Sequence, residues 1–492
     1  MPSRYHDLIS VGKKGSHYAL GTILKGSLAL ISLPILTRYL EPKDYGLVLL
    51  SGVIAAAVQP LYRLGQSGSL YRFFYEYKGR QLQTFVATIL SMSSSLGLII
   101  TAGLLLFGAP LFERIAPGVP MYPHLALALA TGFLAMFLVF PMRLLQVRER
   151  SKLFASLSFA LALLGLGITL FFVVVLGRGA VGVLEAGLVA AIVSLAPFVY
   201  LVRKDICFGF NWRMARQSLR YGLPLVPHML SGFIITQTDR VFIGVYRSLA
   251  HVGLYSVGAA LARAVQLLAT GANFAWTPFF YRTAKERGRE AGKFLGQMAT
   301  YYLLAIWSLA LTVAIFSNEV VHVFATKRYE NAALVVSPLL LSVCLSALYY
   351  RFVNSLFYAQ RTELVTVATF TSAGVNLALN FFLVPAYGML GAAWSSVAAH
   401  AVSCALVYVF GQRAYPLQFE WPRLIRLAVI FPLAYSVSLV LPGSLGFWQS
   451  VGLKCAILVA AFLLLFVTGF FSKSEIGRLR QCGAFLKRKV GL

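Results

Sequence analysis

The stretch YSVGAALARAVQLLATGANFAWTPFF, residues 255–280, is apolar yet carries a permanent cation, Arg263. Ser256, Arg263, Gln266, Thr270, Asn273 and Thr277 recur there at helical spacing, so they line one helix face. Tyr18, Thr22, Lys25 and Ser32 repeat the pattern in an earlier apolar stretch, and Gln59, Arg63 and Gln66 in the next. Arg143 and Arg351 sit in further stretches of the same kind. The chain shows no nucleotide-binding glycine loop, zinc-ligand cluster or nucleophile elbow. Cations in such a setting bind anions: lysine offers a point charge, and arginine a fork of donors matched to phosphate oxygens.

The elements that hold these residues must cross a membrane. Of 492 residues, 59% are hydrophobic and 12% charged, and mean hydropathy is +0.77; a soluble domain has roughly 25% charged residues. Apolar runs of about 20 residues recur, each long enough to cross as a helix, and their continuity excludes a barrel. The expected fold is all-α, with about fourteen transmembrane helices between residues 16 and 471. The first, 16–39, is too long for a signal-peptide core and should remain in the mature chain.

The net charge of +27 reflects topology rather than nucleic acid. Basic residues gather in alternate loops: Arg72, Lys78 and Arg80, then Arg148, Arg150 and Lys152, then Arg282 to Lys293, with more in both terminal segments. The opposite loops hold few, among them Arg38, Lys43, Arg114 and Arg178. Both termini are therefore expected on the cytoplasmic side. The basic tail after Phe471 reads either as an amphipathic helix on anionic lipid or as a topogenic tail. The five cysteines show neither metal-ligand spacing nor a disulfide framework.

An internal repeat organises the chain. FFY at 73–75 returns at 279–281, Gly46-Leu47 returns as Gly253-Leu254, and the stretch from Phe171 resembles that from Phe381. A common offset of about 206 to 210 residues links the three pairs. Six spans per copy give both copies the same orientation, related by an axis along the membrane normal. The expected organisation is two pseudo-symmetric six-helix lobes, 1–206 and 207–416, followed by two additional helices and a basic tail, 417–492.

An intramembrane cation costs from about 2.5 to more than 10 kcal/mol, so it normally faces a bundle interior or an aqueous cavity. Snorkelling or a structural ion pair is the plainer reading for Arg143 and Arg351, near span ends; Lys25 and Arg263, near mid-depth, fit it less well. Intramembrane acids are scarce, Asp239 being the clearest and Glu185 lying near an outer end. One carboxylate cannot neutralise five cations, so a cavity that selects anions is expected, with Gln59, Gln266, Thr270 and Asn273 as its polar lining. Asp239 and Arg240 point about 100° apart on a helix, leaving Asp239 to a structural ion pair or to a titrating coupling role. Pro60, Pro141, Pro227, Pro278, Asn376 and Asn380 also fall inside spans, and proline there frees carbonyls and bends helices.

LPILTRYLEPKDYGLVLL, YGLPLVPHMLSGFIITQTDRVFIGVYRSLAHVGLYSVGAAL and NLALNFFLVPAYGMLGAAWSS together resemble the polysaccharide transporter family. That family includes O-antigen flippases, is related to lipid II flippases, and belongs to the multidrug, oligosaccharidyl-lipid and polysaccharide exporter superfamily. The resemblance covers essentially the whole chain. It implies a V-shaped pair of lobes around a cationic cavity and a secondary transporter rather than an enzyme. It also implies flipping of undecaprenyl-pyrophosphate-linked oligosaccharide, from the inner to the outer leaflet of a bacterial cytoplasmic membrane by alternating access. Lys25, Arg63 and Arg263 match the cavity cations of lipid II flippases by helix only, and lysine on the first span departs from arginine. No cofactor is expected, and proton or sodium coupling stays open. Membrane lipids and a polysaccharide polymerase are the implied partners of a monomeric transport unit. Rival readings are an exporter of another anionic lipid or polymer, a drug exporter, which would favour acidic residues, and a polymerase or ligase, which would need a sizeable outer loop.

Overall fold

The computed structural model describes residues 21, 23–207, 209–442, 446–472 and 475. Among them there is no β-strand, as the all-α reading requires. Helices α1 (23–39), α2 (Pro42–Arg63), α3 (Gln66–Phe73), α4 (Arg80–Phe107), α5 (Ala109–Ile115) and α6 (Ala126–Val147) open the chain. They are followed by α7 (Ser151–Leu170), α8 (Gly179–Val193), α9 (Leu195–Val202) and the short α10 (Trp212–Gly222). Next come α11 (Leu225–Tyr246), α12 (Leu249–Arg287), α13 (Ala291–Ile315), α14 (Ser317–Phe324) and α15 (Ala333–Tyr358). The series closes with α16 (Thr362–Tyr387), α17 (Met389–Ala414), α18 (Trp421–Leu439) and α19 (Phe447–Val467).

Local chemistry sets several of these ends. Asn211 opens α10 by accepting from the Met214 N–H at 3.1 Å, and Ser248 opens α12 by accepting from the His251 N–H at 3.4 Å. Each cap satisfies a donor that the first turn leaves free. Leu64 (φ 44°) and Gly65 (φ 74°) are both left-handed and divide α2 from α3. Gly65 is needed for space as well, since a Cβ there would lie 2.1 Å from the Gly222 carbonyl oxygen.

Helix α2 packs against α4, α6, α8, α11 and α12. Helix α15 packs with α12, α13 and α17, and α11 with α16. Helix α18 rests on α13 and pairs with α19. Lys454 tethers α19, its Nζ lying 2.7 and 2.8 Å from the two carboxylate oxygens of Glu319 on α14. A charge buried this far keeps its place only while paired.

Helices α2 and α12 approach closely because both present glycine. A Cβ on Gly46 would stand 1.8 Å from the Leu249 carbonyl oxygen, and one on Gly253 would stand 2.0 Å from that of Pro42. These are the two glycines that the repeat equates. Beside them Tyr329 donates its hydroxyl to the Leu40 carbonyl at 3.0 Å, and Thr326 donates to that of Thr37 at 3.3 Å. The rings of Tyr45 and Tyr329 meet edge to face at 6.1 Å. This end of the bundle is closed.

Twelve helical stretches among the described residues are long and apolar enough to cross a bilayer, so the chain is a multi-pass membrane protein. Fourteen spans were expected, and the difference falls on the first and the seventh. Tyr18 and Thr22 of the first lie outside the described residues, as does the basic tail beyond 475. Helix α11 has 22 residues, enough for about 33 Å. Its run Thr236–Gln237–Thr238–Asp239–Arg240 lowers its apolar character, and α2, α12, α16 and α17 flank it. Pro227, expected inside a span, stands in the first turn of α11, where a missing N–H breaks no bond. Pro278 lies inside α12, which runs unbroken for 39 residues.

Candidate functional site

A cavity of about 470 Å³ is lined by Lys25 of α1, Arg240 of α11 and Arg263 of α12, with Tyr45, Ser32 and Ser256 beside them. Among the described residues, no Asp or Glu lines it. The Arg240 Nε donates to Ser256 Oγ at 3.0 Å, and its Nη1 donates to Gln237 Oε1 at 2.8 Å and to the Thr236 carbonyl at 3.3 Å. Its guanidinium also lies 5.8 Å from the Tyr255 ring centroid. These partners fix the side chain without neutralising it. Lys25 and Arg263 both have exposed side chains that open on the same space. Leu30, Leu36, Leu40, Val48 and Leu49 make the rest of the wall apolar, and charges beside such a wall are weakly screened. Three cations there repel one another, and an anion placed among them gains from all three.

Lys25 also lines a second cavity, of about 640 Å³, together with Arg63 and Arg143 and with residues of α6, α7 and α8. Among the described residues no carboxylate lines this space either. The Arg143 Nη1 donates to Gln146 Oε1 at 2.9 Å and to the Tyr71 hydroxyl at 3.3 Å. The Arg63 Nε donates to the Gln59 carbonyl at 3.3 Å. Gln59, expected to line the cavity, instead donates to the Gly132 carbonyl and ties α2 to α6. Four of the five expected cations therefore stand along two cavities that share Lys25.

Arg351 stands elsewhere. It is 1% exposed and lines neither cavity. Its guanidinium carbon lies 4.4 Å from the Trp276 ring centroid and 3.9 Å from that of Tyr302, and its Nη2 donates to Asn273 Oδ1 at 2.9 Å. Ring faces offer a buried cation the negative potential that an anion would otherwise supply. The polar face of α12 divides at the same level. Ser256 and Arg263 face the first cavity, whereas Gln266 donates to Ser346 and Tyr350 of α15 at 3.3 Å. Thr270 accepts from Gln266 at 3.4 Å, and Asn273 is taken by Arg351. None of these three lines either cavity.

Asp239 pairs with no cation among the described residues. It accepts from the Tyr255 hydroxyl at 2.5 Å, from Ser396 Oγ at 2.7 Å and from Asn380 Nδ2 at 2.9 Å, inside a cluster of α11, α12, α16 and α17. Asn380 in turn donates to Asn376 at 3.1 Å. The angle between neighbours on a helix sends Arg240 to the cavity and Asp239 away from it. Tyr255 and Ser396 had no sequence signal beyond their polar type, while the other acid, Glu185, pairs with Arg178 at 3.0 Å.

Residues 11–284 match the family described as polysaccharide biosynthesis protein. The chain belongs to that family. Among its relatives is an Lsg locus protein of Haemophilus influenzae, 25% identical over 379 residues, spanning 75% of this chain and 90% of that one. Another, of Haloferax volcanii, is named a probable low-salt glycan biosynthesis flippase, Agl15; it is 21% identical over 53% of each chain. Among solved structures, the lipid II flippase MurJ in an inward closed conformation superposes with a TM-score of 0.74. The match covers 93% of this chain and 99% of that one at 13% identity, a likeness of fold. The expected kinship with polysaccharide transporters is thereby borne out for this polysaccharide biosynthesis family member.

Proposed function

We propose that the protein is a flippase for an anionic lipid-linked oligosaccharide, used in surface polysaccharide biosynthesis, and not an enzyme. One observation carries this reading: Lys25, Arg240 and Arg263 surround one cavity whose lining, among the described residues, includes no carboxylate. A cavity of that sign rejects organic cations and favours a phosphate-bearing headgroup. The relatives' names and the lipid II flippase fold support the same substrate class. An undecaprenyl pyrophosphate carrier fits best, because two linked phosphates can engage several cations at once.

In this mechanism the six helices of each half form a lobe, and the lobes rock about the substrate. Arg63 and Arg143 attract the headgroup from the cytoplasmic side, Lys25 reaches it from either cavity, and Arg240 and Arg263 hold it at mid-depth. The glycans occupy the polar space while the polyprenyl chain stays in lipid. Outward movement of negative charge from a negative interior is favoured by about 2.3 kcal/mol per charge per 100 mV, so a membrane potential can drive the step without ATP. On this proposal the protein works in the bacterial cytoplasmic membrane with both termini inside, as a monomer alongside a polymerase.

The test is translocation of a labelled polyprenyl-pyrophosphate oligosaccharide in proteoliposomes, comparing the unmodified protein with Arg263→Gln at matched reconstitution. Transport that the folded variant has lost makes the arginine a working anion ligand. Equal transport by both removes Arg263 from the mechanism, and transport by neither overturns the substrate class.

A further inference from the structure

Helix α10 takes no part in either cavity, yet it concentrates charge. Over Trp212–Gly222 it has no acidic residue and three arginines, Arg213, Arg216 and Arg220, at i, i+3 and i+7. At 100° per residue these fall within one sector of the helix. The opposite sector holds Ala215, Ser218 and Gly222, all buried. Those small residues let α10 dock against α3: Ser69 Oγ donates to the Ser218 carbonyl at 2.9 Å, and the backbone of Gly222 meets that of Gly65. Asn211, which caps the helix, donates its N–H to Thr88 Oγ1 of α4 at 3.1 Å. The helix is therefore held rigidly, with its arginines pointing away from the protein.

A second strip runs beside the arginines. Trp212, Leu219 and Leu223, at i, i+7 and i+11, lie along one flank, and Leu219, Leu223 and Pro224 share a surface groove with the three arginines. Trp212 is 72% and Leu223 54% exposed. Both strips lie on the connection between the membrane-crossing stretch Gly179–Val202 and α11, which keeps them at the level of a membrane surface. A soluble anion or an acidic protein segment would use the arginines and leave the Trp–Leu flank in water. A phospholipid with an anionic headgroup satisfies both, its phosphate among the guanidiniums and its upper acyl chain on the flank.

We infer that α10 is a binding surface for anionic phospholipid headgroups, formed by Arg213, Arg216 and Arg220 with the Trp212–Leu219–Leu223 flank. Because α10 is bonded to α3, which follows Arg63 in the chain and whose Tyr71 hydroxyl accepts from Arg143, a lipid held there bears on the helix that neighbours both cations.

The experiment uses the full chain, its five cysteines replaced by alanine, with Gln217→Cys carrying a small fluorophore. It is reconstituted in phosphatidylcholine vesicles containing either spin-labelled phosphatidylglycerol or spin-labelled phosphatidylcholine. Quenching by the glycerol lipid should exceed that by the choline lipid about twofold or more. The excess should vanish when Arg213, Arg216 and Arg220 are all changed to glutamine, and persist when all are changed to lysine. These side chains face away from the packed surface, so both variants should keep the parent melting temperature. Equal quenching by the two lipids overturns the inference. Quenching by neither overturns it too, because the face then meets water, as an acidic soluble partner would require. An excess that survives the glutamine changes overturns the assignment to these arginines.

Discussion

Gly46→Ala tests the closed end of the bundle directly. The added Cβ would lie 1.8 Å from the Leu249 carbonyl oxygen, where ordinary contact begins at 3.4 Å, a deficit of 1.6 Å (3.4 − 1.8). The obstacle is the backbone at the start of α12, which cannot rotate aside as a side chain could, so α2 and α12 must separate. Overpacking of this kind costs about 1–3 kcal/mol. If the cost falls on the closed state alone, about 2–3 kcal/mol shifts the population toward a form open at this end roughly 30- to 150-fold. A cysteine at Ser32, which lines the first cavity, reports the shift through its rate of labelling by an impermeant maleimide added from the side of the Leu40–Tyr45 turn. Gly52→Ala on the same helix is the control, since a Cβ there meets nothing within 4 Å. It should leave the rate unchanged. If Gly46→Ala labels no faster than Gly52→Ala and melts at the same temperature, the glycine crossing does not hold that end shut.

Four further outcomes are expected. Arg240→Gln should weaken binding of a pyrophosphate-bearing lipid about tenfold or more by native mass spectrometry, with Arg240→Lys between it and the parent; unchanged binding would make Arg240 a structural residue. Arg351→Met should lower thermal stability by about 1–2 kcal/mol through loss of its two ring contacts and leave substrate binding intact, whereas a ligand role would reverse that pattern. Lys454→Met should destabilise by about 3 kcal/mol in chemical or thermal unfolding by leaving Glu319 unpaired, and the added change Glu319→Gln should restore most of the loss. Burial would raise the carboxyl of Glu475, but hydrogen bonds from Tyr301, Ser472 and Arg423 outweigh it and hold the group down from 4.5 to about 2. The stability this gives is complete above the unfolded value and lost as pH falls toward the folded one. Hydrogen exchange at residues 470–472 and at Glu475 should thus hardly differ between pH 7 and pH 5 after correction for intrinsic rate, and rise below about pH 4.

Helical periodicity and depth were enough to bring Lys25 and Arg263 to one cavity, because both follow from counting along an apolar run. Arg240 was not legible in the same way. Its neighbour Asp239 suggested a local pair, and only the packing of α11 between α2, α12 and α16 shows the two side chains parting. Arg351 shows the complementary difficulty: depth says that a cation is inside the membrane, not whether it meets a cavity or two aromatic rings. The polar stripe on α12 also reads as continuous in sequence, yet Gln266 and Asn273 turn to α15 and Arg351 while Arg263 does not. Which helix lies opposite each turn is tertiary information that no periodicity carries. The glycine pair lies between these cases. A constant offset marked positions 46 and 253 as counterparts, but gave no sign that they touch.

The unbroken length of α12 has a mechanical consequence. At 39 residues and a rise of 1.5 Å each, it is a rod of about 58 Å, nearly twice the roughly 30 Å of a hydrocarbon core. Hinged at its glycine end, a tilt of about 10° would carry its far end about 10 Å, while Arg263, fourteen residues along, would travel only about 4 Å. Such a lever opens a wide mouth on one face while keeping the guanidinium within reach of the same bound anion.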